Sequence, residues 1–193
     1  MLTLAQNAAI KADIAANIDL SVIPAGSDGS FEIARLYNLP AAPAYMVWRT
    51  NALTKDIFDA IDWTKYTPAD APEATGIYTA RAMAIQTKQM NLQNILTGRD
   101  QLDTSKPSIR AGLRDAVIQL PAGANGANIS AGGGNGATAG VTVLTACTRA
   151  ATRIEKLLST SPPAAGTVTG PVTAGLLGFE GVVTYPLIEE ARK

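Results

Sequence analysis

Apolar positions along this chain recur three and four residues apart far more often than they alternate. Ile10, Ile14 and Ile18 fall four apart with Lys11, Asp13 and Asn17 between them, which predicts an amphipathic helix with a narrow apolar stripe. The "SDGS" at 27–30 breaks that pattern and offers Asp28 or Ser30 as the cap of a second helix, in which Ile33, Leu36 and Tyr37 share a face. Pro40 and Pro43 end it. Each pushes the residue before it out of the α region, so "AYMVWRT" at 44–50 is predicted to be extended. Thr54 offers an N-cap for "KDIFDAIDW", with Ile57, Phe58 and Ile61 inward and Asp56, Asp59 and Asp62 on another face.

The rest of the chain continues the helical period. "TPADAPEATG" at 67–76 reads as a loop, and a longer helix follows from about Gly76 through Tyr78, Ile85, Leu92 and Leu96 to a C′ glycine at Gly98. Pro107, in a first turn where its missing N–H costs nothing, opens a helix with Ile109, Leu113, Ala116, Val117 and Leu120 on one face; Pro121 closes it. "PAGANGANISAGGGNG" at 121–136 is mostly glycine, alanine and asparagine, too little apolar side chain to build a core of its own, and reads as a flexible loop. A last long helix, about 137–158, would bury Val143, Cys147, Ala150, Ile154 and Leu157. Beyond it, glycines and prolines interrupt a run of valine, threonine and aromatic residues. The expected architecture is therefore mainly α: a helical bundle over 1–158, then an extended C-terminal arm over 159–193 carrying short strand-like segments.

Composition narrows the possible functions. The 193 residues carry 16 basic and 16 acidic side chains and no histidine, so the formal net charge is zero and nothing supports electrostatic binding of nucleic acid. Charged residues are only 17% of the chain, a weakly charged surface that favours association. Cys147 is the sole cysteine, which rules out an internal disulfide and any Cys/His zinc spacing. Lys11 and Asp13 interrupt the first apolar stretch too early for a signal peptide, and no stretch of eighteen apolar residues suggests a membrane span. The expected location is the cytosol, unless the protein leaves as part of a larger particle.

Candidate chemistry is sparse. Without histidine, acid–base work would fall to carboxylates or lysine. Asp56, Asp59 and Asp62 at three-residue spacing bring at most two carboxylates together and read as a solvated face. "GNGATA" at 134–139 matches a dinucleotide-loop pattern, but no strand precedes it and no βαβ alternation surrounds it. Cys147 reads as a small core hydrophobe, and Arg149, Arg153 and Lys156 as a solvated helix face. No cofactor or metal site is expected. In "AYMVWRT", the expectation is that two side chains are buried and two exposed, with Trp48 in the core and Met46 facing elsewhere, leaving core and subunit interface both open for the segment.

Taken together, "AAIKADIAANIDL", "EIARLYNLPAAPAYMVWRT", "IRAGLRDAV", "ATRIEKLL" and "FEGVVTY" resemble a widespread group of tailed-bacteriophage proteins encoded among the virion structural genes, over about Ala8 to Tyr185. The resemblance implies a virion component and assembly rather than catalysis. Decoration proteins and tail-tube subunits of such phages are mostly β, whereas head-to-tail adaptors, or connectors, of this size are helical and form a dodecameric ring under the portal. The resemblance thus implies an adaptor joining the portal protein to tail (nozzle or tail-tube) proteins, with a capsid decoration or cement protein as the alternative. DNA would pass through the ring's channel without specific contacts, and no membrane is involved. On this reading Met46, Trp48, Arg49, Leu177, Phe179, Tyr185 and Leu187 are the expected interface residues, the last four as apolar anchors on the arm.

Overall fold

The computed structural model describes residues 2–61, 63–66, 77–117, 143, 145–160 and 174–193, and 57% of them are helical. Among the described residues the fold is mainly α, with short strands in two small sheets. The predicted loops at 67–76 and 121–136, and the "GNGATA" motif, lie outside the described residues.

The chain divides into two compact units. The first holds residues 2–47, 150–160 and 174–193, and the second the described residues between 48 and 149. Strands β1 (Met46–Trp48) and β4 (Thr148–Ala150) pair with each other.

The first unit begins with α1 (Leu4–Ala16), opened by a capping box in which Thr3 and Gln6 satisfy each other's backbone N–H. Ile10 and Ile14 are buried as the stripe requires. Ile18 is not: Asn17 ends α1 and its side chain caps the short α2 (Ile18–Ser21), which turns Ile18 outward and Leu20 inward. In α3 (Ser27–Tyr37) Ile33 and Tyr37 are buried with Leu36 beside them. Its N-cap is Gly26 at φ 120°, a conformation glycine tolerates, and Ser30 is buried inside the helix instead of capping it.

Two expectations are corrected here. The predicted helix over 137–158 gives way to strand β4, and α7 (Arg153–Leu157) starts afresh at a capping box between Thr152 and Glu155. Ala150 is consequently exposed while Ile154 stays fully buried. Nor is the C-terminal stretch extended throughout: Pro186 sits in the first turn of a helix, α8 (Tyr185–Arg192). Leu187, Ile188 and Ala191 form its apolar stripe, which packs against α1 and α3 and joins the core around Ile10, Leu20, Ile33 and Ile154. A smaller cluster of Ala41, Tyr45, Val47 and Ala151 is closed by Leu177.

In the second unit β2 (Ala52–Leu53) pairs antiparallel with β3 (Gln101–Leu102), Ala52 opposite Leu102. α4 (Thr54–Asp59) follows directly. Thr54 is its first residue, and its hydroxyl donates to the Arg99 and Asp100 carbonyls (2.8 and 3.0 Å). Ile57 and Ile61 are buried, but Phe58 points outward and stacks on Trp63 with ring centres 4.5 Å apart. α5 (Ile77–Leu96) ends before Gly98 at φ +74° and packs on α6 (Pro107–Val117). The last carbonyls of α6 are satisfied from outside the helix: the Tyr66 hydroxyl donates to Ala116 (2.7 Å), and the buried Lys88 ammonium to Asp115.

Candidate interface surfaces

Each predicted interface residue has a definite place. Trp48 is buried in the second unit with the Arg110 guanidinium 4.5 Å above its ring. Arg110 also donates to the Thr104 and Ser105 carbonyls (2.7 and 2.6 Å), so Trp48 is core, roofed by a cation held in place. Arg49 is half-buried and its Nε donates to the Thr148 carbonyl of its own chain (2.9 Å). In the first unit Leu177, Phe179 and Leu187 are partly covered by the two apolar clusters. Met46 and Tyr185 are exposed. Trp48 and Arg49 belong to the second unit and the other five to the first.

Tyr185 has company that sequence periodicity missed. A groove of about 740 Å³ runs between α3 and the segment leading into α8, lined by Phe31, Ala34, Arg35, Asn38 and Leu39 on one side and by residues 182–186 on the other. Phe31 is 63%, Val182 70% and Tyr185 45% exposed, so three large apolar side chains face solvent around one depression. Arg35, the cation there, forms a pair with Glu32 (2.6 Å), whose carboxyl is held below its usual range by that hydrogen bond. The groove is apolar. One signal was present: Phe31 lies two residues before the buried Ile33, on the opposite side of a 3.6-residue helix, where a polar side chain is expected.

Two other depressions among the described residues are less apolar or carry opposed charges. In the second unit Thr54, Lys55, Phe58 and Trp63 face Gln89 and Gln93 across a groove of about 560 Å³. In the first, Asp13 and Asp19 face Arg153 and Lys156. The Tyr37 hydroxyl donates to Asp13 (2.9 Å), while Arg153 lies over the Tyr37 ring at 5.3 Å and 3.4 Å from the same carboxylate. Burial and this bond push the Tyr37 phenol far up, so it stays protonated. Burial likewise pushes the Cys147 thiol up to about 12, leaving a packed thiol and not a nucleophile. Among the described residues, no three His, Cys, Asp or Glu side chains gather as metal ligands, and no helix is long and apolar enough to cross a membrane. No protein-family model matches the chain, and neither a curated protein nor a solved structure matches it.

Proposed function

We propose that this chain is a bacteriophage virion structural protein, a head-to-tail adaptor whose copies form a ring joining the portal to the tail. The observation that carries the reading is the apolar groove around Phe31, Val182 and Tyr185: a folded helical unit with three large apolar side chains exposed at one place is built to be covered. The resemblance of "EIARLYNLPAAPAYMVWRT" and "FEGVVTY" to phage structural proteins supplies the class of assembly, and both stretches contribute residues to this groove. The mainly α fold favours an adaptor over the β-rich decoration proteins. Its work is assembly: each copy contacts two neighbours through unlike surfaces, and such a ring closes only when the rotation per copy is right.

The test is direct. Purified chain is mixed with purified portal and, separately, with emptied capsids, then sedimented and imaged by electron microscopy. Rings seated on the portal are the expected result. Binding to capsid faces without portal binding would make the chain a cement protein, and binding to neither would end both readings.

A further inference from the structure

Residues 178–193 are held in their unit by side-chain hydrogen bonds and by packing on its core. Among the described residues, no backbone-to-backbone hydrogen bond joins this segment to another part of the chain; the bonds at Leu187, Ile188 and Lys193 are local. Side-chain hydrogen bonds hold it, most of them from other elements. Gln6 on α1 donates to the Gly178 carbonyl (2.8 Å), and the buried Glu155 on α7 accepts from the Gly181 N–H (3.3 Å). The Asn38 amide takes both backbone groups of Val183, donating to its carbonyl (2.8 Å) and accepting from its N–H (3.0 Å). At the far end Arg192 donates to the Ile23 and Pro24 carbonyls (2.9 and 3.1 Å).

We infer that residues 178–193 form a strap that leaves and rejoins the unit as one cooperative piece, with Asn38 and Glu155 as its latch. Helix α8 has eight residues, too few to persist alone in water, so its folding and the docking of Ile188 and Ala191 are a single event. The anchors can release without breaking a bond inside α1, α3 or α7, because none of them belongs to a helix or sheet ladder. Glu155 stays in place when the strap leaves, since its other oxygen accepts the Thr152 N–H (3.0 Å). Opening uncovers the core around Ile10 and Ile33, which keeps the closed form dominant. It also removes one wall of the apolar groove, because residues 182–186 belong to the strap. The strap therefore decides whether the groove exists, whatever binds there.

Hydrogen exchange of the full chain, read by mass spectrometry across low urea concentrations, tests this. The amides of 187–192 should share one protection factor, lower than those in the middle of α1 and α3, and should open with a smaller urea dependence than global unfolding. Asn38→Ala, which removes two anchoring bonds, should speed exchange in the strap roughly tenfold and leave α1 unchanged; Glu155→Gln should act in the same direction. If strap amides match α1 and α3 in both protection and urea dependence, the strap does not open separately and the inference fails. Should either variant fail to fold, the wild-type urea dependence decides alone.

Discussion

Buried single residues control how the second unit responds to pH and to truncation. The Cys147 thiol is fully buried, and that burial outweighs the opposing pull of the Arg49 and Arg110 guanidiniums, raising its pKa from 9.0 to about 12. The folded chain thus keeps a proton that the unfolded chain releases, so this contribution to stability is complete below pH 9 and is lost as pH rises from 9 toward 12. Burial raises the Tyr66 phenol in the same direction, and that of Tyr37 in the first unit as well, so both add to the loss of whole-chain stability above about pH 10. Urea midpoints should accordingly fall from about pH 9 upward. Cys147→Ala should lower stability at every pH but flatten the fall between about pH 9 and 10; curves that stay parallel would show that the thiol does not titrate there. Trp48→Ala removes a buried ring and the face beneath Arg110, and should cost about 3 to 5 kcal/mol in urea unfolding. A loss below about 1 kcal/mol would mean that Trp48 is not core.

At the scale of elements, the capping box of α7 gives a clean expectation: Thr152→Ala should destabilise by about 1 kcal/mol, because Glu155 N–H loses its acceptor at the helix start. Thermal unfolding of the variant checks this, and an unchanged transition would deny the cap any role. The same residues show why one element was misread from sequence. Thr152 and Glu155 stand three apart in the order a capping box requires, but Val143, Cys147, Ala150, Ile154 and Leu157 also keep helical spacing across that point. What stops a helix there is distant in sequence: Ala151 donates to the Tyr45 carbonyl and the Cys147 carbonyl accepts from Arg49, contacts that no local period encodes. By contrast, Pro107 and Gly98 act within one turn, and the helix boundaries they mark were legible. In "AYMVWRT" Trp48 is buried and Met46 exposed, but alternation does not produce that split: residues two apart share a strand face, and burial runs exposed, buried, buried over Met46, Val47 and Trp48. The groove was not legible beyond Tyr185, because its second wall comes from residues 182–186, far along the chain from Phe31, and depends on how Asn38 pairs with Val183. Helix α8 was overlooked for a different reason: eight residues supply barely two turns of pattern, and its stability comes from packing on α1 and α3.

For the whole molecule, the balance of charge and the apolar groove together predict how association responds to salt. A chain with 16 charges of each sign has no net field to steer a partner, and the groove's cation, Arg35, is already paired with Glu32. Association driven by covering Phe31, Val182 and Tyr185 should therefore hold or strengthen between about 0.1 and 1 M sodium chloride, where exposed ion pairs are screened, and should strengthen further in sulfate. Sedimentation of the chain with portal across that series measures it. The matching variant is Val182→Asp, which places a charge on a side chain 70% exposed. Because Val182 contributes little to the core, the monomer should lose less than about 0.5 kcal/mol, while binding should fall at least about tenfold, since the carboxylate would have to be desolvated in the interface. Two results would redirect the assignment. If binding weakens steeply with salt and survives Val182→Asp, charged residues such as Arg49 are the anchors and the groove is not the interface. If Val182→Asp unfolds the monomer, Val182 belongs to the core and its exposure has been misjudged.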